Sequence, residues 1–121
     1  MKQYLAAACL AAAMLAFAPG AGAHAFLDRA APAVGSTVHG PPAAIRLWFT
    51  QEIEPAFSTI KVVDRNGKVV DKGDTAVDAA DRTLIRVSVP PLPAGTYKVV
   101  WRVLATDSHV TEGDFTFDVA P

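Results

Sequence analysis

The feature that most constrains this chain is alternation. In "GTYKVVWRVL", Tyr97, Val99, Trp101 and Val103 share one parity; in "DFTFDV", Phe115, Phe117 and Val119 do the same. Side chains two apart point to one face of an extended strand, so each run has one apolar face to bury. "AAIRLWFT" sets Ile45, Leu47 and Phe49 against Arg46, Trp48 and Thr50, and "RTLIRVSV" sets Thr83, Ile85, Val87 and Val89 on one side. "FSTIKVVD" is a β-branched run. Asn66-Gly67 follows it as a hairpin signal, with "KVVD" as the return strand. Turn-rich stretches, "PAVGSTVHGPP", "DKGDTAVDAAD" and "PPLPAG", separate the runs. With one more strand in the segment after His24, the chain reads as about seven short strands and shows no helical period. One sheet cannot bury its apolar face alone. The expected fold is therefore all-β: a seven-strand Greek-key β-sandwich or barrel, immunoglobulin-like or cupredoxin-like.

The N-terminus follows a different logic. Lys2 precedes an apolar run, "LAAACLAAAMLAF", from Leu5 to Phe17. Pro19 and Gly20 then break any helix before Ala21-Gly22-Ala23, a small-x-small cleavage site. Residues 1–23 read as a secretory signal peptide, which exports the protein and leaves one domain over residues 24–121. Ala23-His24-Ala25 also fits the cleavage pattern. The cut after Ala23 is the preferred one because it follows the Gly/Ala-rich stretch directly and lies closer to the apolar run.

That cut has chemical consequences. Cys9, Met1 and Met14 all leave with the signal, so the processed chain holds no sulfur: no disulfide, no thiolate and no thioether ligand. Loss of Lys2 shifts the formal charge from −1 to −2. No basic run is present, which gives nucleic-acid binding no footing.

Three histidines remain: His24, His39 and His109. His39, in "TVHGPP", reads as a solvated loop residue, and Trp48 and Trp101 as packing residues of the core or of a site wall. Asp107 and His109, one residue apart where a strand runs out, can aim a carboxylate oxygen and an imidazole nitrogen at one point. Such a pair also occurs as a plain hydrogen-bonded pair at a strand end, and first residues usually fray. A histidine at the new N-terminus would add two donors, its imidazole and its free amine, whose pKa of ~7.7–8.0 lets a metal displace the proton near neutrality. Amine, two imidazoles and a carboxylate form an N₃O set. That set suits Cu(II), with Ni(II) or Zn(II) as weaker competitors, whereas Cu(I) prefers the sulfur this chain lacks. Asp107, Ser108 and His109 are adjacent in sequence and cannot form a nucleophilic triad.

These residues resemble the CopC family of periplasmic copper-binding, copper-resistance proteins. "HAFLDRAAPAVGS" is similar to the family's opening, "PPAAIRLWFTQEIE" to its second strand, and "PLPAGTYKVVWRVLATDSHVTEGDFTFDV" to its ending. The resemblance implies a Cu(II) site made by the N-terminal amine and imidazole of His24 with Asp107 and His109. Two departures stand out. "NGKVVDKGDTAVDAAD" holds neither Met nor His where some members carry a Cu(I) site, so one copper ion per chain is expected. Gln51 stands where many members have Glu, with Glu52 one place later; a one-residue shift reverses the face, so both are left outside the ligand set.

The expected function is a non-enzymatic, monomeric protein of copper homeostasis that buffers Cu(II) or passes it to an inner-membrane copper-handling protein. Two alternatives stand beside it. One is a copper-dependent oxidative enzyme built on an N-terminal histidine chelate, which the short chain and the absence of an evident aromatic platform oppose. The other is a non-metal interaction sandwich, which leaves His24, Asp107 and His109 without a role.

Overall fold

The computed structural model describes residues 25–121. The signal segment expected over residues 1–23 and the candidate ligand His24 lie outside the described residues. The described chain forms eight strands: β1 Leu27–Ala31, β2 Thr37–Val38, β3 Ala44–Phe49, β4 Ile53–Val63, β5 Ala76–Val77, β6 Leu84–Ser88, β7 Gly95–Ala105 and β8 Val110–Val119. They make two four-stranded sheets, ordered β1-β3-β6-β5 and β2-β8-β7-β4. The chain changes sheet at every connection except β5–β6 and β7–β8.

The apolar parities read from the sequence are the faces that meet. Ile45, Leu47 and Phe49 of β3 and Ile85 and Val87 of β6 are buried with Tyr97, Val99, Trp101 and Val103 of β7 and Phe115, Phe117 and Val119 of β8. Two ring pairs bridge this core. Phe49 meets Trp101 edge-on at 5.1 Å, and Tyr97 stacks on Phe117 at 5.7 Å. The Tyr97 hydroxyl donates to the Pro93 carbonyl at 2.6 Å and so ties the start of β7 to the preceding loop.

The β7–β8 hairpin has the longest unbroken register, from Gly95↔Val119 to Leu104↔Val110. Gly113 occupies an inward position of β8 opposite Trp101. A Cβ there would stand 2.6 Å from Trp101 Cζ2, so the indole fills the space that any other residue would need.

The strand inventory differs from the expectation in two details. The Asn66-Gly67 turn is not a two-residue hairpin. The Gly67 amide donates to the Asp64 carbonyl at 3.0 Å, and of the pair only Gly67 takes a positive φ, 80°. Asp64 Oδ1 accepts from the Asn66 and Lys68 amides, which fits a three-residue loop with a glycine bulge. Nor does "KVVD" form a strand; it makes one bridge, Val63↔Val69. Beyond it, side chains take over the edge of β4: Asp71 Oδ2 accepts from the Val62 amide at 2.8 Å, and Thr75 Oγ1 bonds both the amide and the carbonyl of Ile60 at 3.3 Å. These side-chain partners blunt that stretch of the edge against pairing with another strand. The short strands β2 and β5 instead arise within the turn-rich stretches.

Trp48, expected as a packing residue, lies half-buried on the outer face of its sheet, with the Arg29 guanidinium 3.9 Å above its ring. Trp101 packs in the core as expected. A large bulge separates Glu54 from Thr59 in β4. The buried Ser58 hydroxyl fills the gap, donating to the Glu54 carbonyl at 2.6 Å and accepting from the Leu104 amide at 3.0 Å.

Candidate metal centre

Asp107 and His109 sit in the tight connection between β7 and β8. The Ala105 amide donates to the His109 carbonyl at 2.9 Å and the Ser108 amide to the Ala105 carbonyl at 3.0 Å, which closes a loop of Thr106, Asp107 and Ser108. Ser108 takes φ 72° and is the one non-glycine residue with a positive φ among the described residues. Left-handed backbone is costly for a residue with a Cβ, and it is retained here at the point where the chain reverses.

This turn brings the two candidate ligands together. Asp107 Oδ1 accepts from the His109 amide at 3.1 Å, and Asp107 Oδ2 lies 3.4 Å from His109 Nδ1. Both side chains reach solvent, with 30% of Asp107 and 51% of His109 exposed. The sequence expectation of convergence therefore holds, but its cause differs. The pair does not share a face of an extended strand; it converges across a turn in which the residue between is left-handed.

Two other segments meet the hairpin at this end of the sandwich. The Thr106 amide donates to the Glu52 carbonyl at 3.1 Å. Glu52 thus reaches the hairpin through its backbone. Among the described residues, no group of three or more His, Cys, Asp or Glu side chains converges, so Glu52 does not join Asp107 and His109. Gln51 is half-buried beside it, and His39 is exposed in its loop, as expected.

The second segment is the start of the described chain. Ala25 is fully buried. Its carbonyl accepts a hydrogen bond from Thr111 Oγ1 at 2.8 Å. The Phe26 amide donates to Thr50 Oγ1 at 2.9 Å, and the Thr50 amide returns a bond to the Phe26 carbonyl at 2.9 Å. The residue that follows His24 is therefore fixed to β8 two positions beyond His109.

Thr111 and Thr50, which hold the start of the described chain, were not singled out from the sequence. A signal for Thr111 was present: it holds an inward parity in a strand whose other inward residues are Gly113, Phe115, Phe117 and Val119. A hydroxyl on a core-facing parity needs a partner.

The described donors, one carboxylate and one imidazole, suit a divalent ion of borderline hardness and do not suit Cu(I). Two donors alone make a weak site, and a tight one requires ligands from a neighbouring segment.

Comparison with known proteins places the chain. The family model described as the CopC domain matches residues 27–120. Copper resistance protein C of Pseudomonas syringae pv. tomato is 37% identical over 103 residues, covering 80% of this chain and 81% of that protein. The crystal structure of CopC from Methylosinus trichosporium OB3b superimposes with a TM-score of 0.77 at 36% identity, over 81% of this chain and 95% of that one. Copper transport protein CutJ of Bacillus subtilis (strain 168) is 28% identical over 98 residues; the match covers 80% of this chain but spans 18% of CutJ.

Proposed function

The chain belongs to the CopC domain family, and from that premise we propose that it is a periplasmic Cu(II)-binding protein. It holds one ion through the N-terminal amine and imidazole of His24 with the side chains of Asp107 and His109. The relatives just described by function are named as copper resistance or copper transport proteins, and not as enzymes.

One observation carries the reading: Ala25 is buried and bonded to Thr111 on the strand that leaves the Asp107–His109 turn. That bond ties the chain, one residue after His24, to β8 two positions beyond His109. Signal cleavage after Ala23 makes His24 a free N-terminus with two nitrogen donors. Cleavage after Ala25 would instead remove a side chain from the core, and this supports the earlier cut. The N₃O set is hard enough to hold copper as Cu(II), and no thioether is present in the processed chain to favour reduction.

The protein buffers copper or passes it to a membrane partner. The similarity to one segment of a much longer copper transport protein supports that hand-off. The solvent-exposed His109 and Asp107 leave the ion accessible to an incoming ligand.

The test compares the processed protein with a form carrying one extra residue ahead of His24. The extra residue separates amine from imidazole and breaks the chelate. Cu(II) affinity, read by competition with a chromophoric chelator, is expected to fall by roughly a hundredfold or more. Equal affinity in the two forms would contradict the reading.

A further inference from the structure

We propose that Thr111, assisted by Thr50, is a positioning residue that sets the affinity of the copper site without touching the ion. The inference rests on the His24 chelate proposed above and adds to it what holds the chelate in place.

A free chain end ordinarily frays, and a metal that binds it must first order it. Here the ordering is built into the fold. The Ala25 carbonyl, the Phe26 amide and the Phe26 carbonyl all have partners, supplied by the Thr111 hydroxyl, the Thr50 hydroxyl and the Thr50 amide. Ala25 adds a buried methyl group that anchors the same two residues in the core.

Thr111 is also placed to couple the two halves of the site. It follows His109 by two residues in the same polypeptide segment, so one short stretch presents an imidazole to the ion and a hydroxyl to the N-terminal strand. Core packing does not need that hydroxyl. Valine has the same branched shape and suits a strand equally well. What valine lacks is the bond to Ala25. Thr111 thus ties the residue that follows His24 to the strand that follows His109 before copper arrives, and the ion does not have to supply that ordering.

The experiment is a cycle on the secreted, processed protein. Thr111→Val, Thr111→Ser and Thr50→Val are each titrated with Cu(II) against a chromophoric chelator. Thr111→Val is also made in the form with one residue ahead of His24. Loss of one such hydrogen bond predicts roughly three- to tenfold weaker binding in Thr111→Val. Thr111→Ser is expected to restore the wild-type value, and Thr50→Val to weaken binding in the same direction, a readout that stands if Thr111→Val folds poorly.

In the extended form, where amine and imidazole no longer chelate together, Thr111→Val is expected to change nothing further. Equal affinity of Thr111→Val and wild type, or the same loss with and without the extension, would overturn the role of Thr111 while leaving the His24 chelate standing. An extension that by itself leaves affinity unchanged would overturn the chelate and this inference with it.

Discussion

Gly113→Ala is the substitution whose cost the structure defines most closely. An alanine Cβ at this position would lie 2.6 Å from Trp101 Cζ2, 3.0 Å from Cε2 and 3.3 Å from Cη2. Carbon atoms pack at about 3.5–4.0 Å, so the indole would have to retreat by about 1 Å. Its packing opposes that move. Trp101 is 8% exposed, and Phe49 stands edge-on against it at 5.1 Å. Overpacking of this kind costs about 1–3 kcal/mol. In a domain of this size each kcal/mol lowers Tm by about 4–8 °C, which gives an expected loss of about 4–24 °C. Thermal and urea denaturation of Gly113→Ala measure it. A double-mutant cycle supplies the cause, because Trp101→Phe removes the ring atoms that clash. In that background Gly113→Ala should cost less than about 0.5 kcal/mol. A wild-type Tm for Gly113→Ala, or an undiminished penalty in the Trp101→Phe background, would refute the argument from the indole.

Other consequences follow from single groups. Ser58→Ala leaves the Glu54 carbonyl and the Leu104 amide without the hydroxyl that joins them, and should cost about 1–3 kcal/mol in urea denaturation. Asp74 and Asp78 titrate below the ordinary value of 3.8: Asp74 through bonds from the Ser88 hydroxyl and amide, Asp78 through the amides of Asp81 and Ala80 and then Arg86. A lowered folded-state pKa gives stability that is present above the unfolded value and is lost as pH falls through the folded one. The stability gap between wild type and Asp78→Ala should therefore be full at neutral pH and narrow below about pH 4. Tyr97 has the opposite sign: burial first, and then the charge of Asp64, raise its pKa above 10.0. Its ultraviolet titration should lag that of the unfolded chain, with stability falling as pH rises through that range, and Tyr97→Phe should cost about 1 kcal/mol.

The core was legible in the sequence because a strand's two-residue period leaves no freedom about which side chains face inward. Ile45, Leu47 and Phe49, or Phe115, Phe117 and Val119, are buried as their parity requires. What escaped was fixed by side-chain hydrogen bonds and turn geometry, which a pattern of apolar residues does not show. "KVVD" has the composition of a strand, but the ladder beside Val62 is completed by the Asp71 carboxylate instead of a backbone carbonyl, and composition does not show that exchange. "DKGDTAVDAAD" reads as turn-rich, but which groups its aspartates cap does not show in the sequence: Asp71 caps Val62, Asp74 Ser88 and Asp78 Ala80, as Asp64 caps Asn66 before it. Asp107 and His109 were legible as a pair from their spacing, although their convergence comes from a left-handed Ser108 that no local signal announced. The Thr111–Ala25 bond spans 86 positions, and only the odd polarity of an inward threonine hinted at it.

The most direct test of the account is a native mass of the protein recovered from the periplasm, before and after addition of Cu(II). The account predicts a chain beginning at His24 that takes up one copper ion and holds it through buffer exchange. A chain beginning at Phe26, or a chain beginning at His24 that retains no copper, would contradict it.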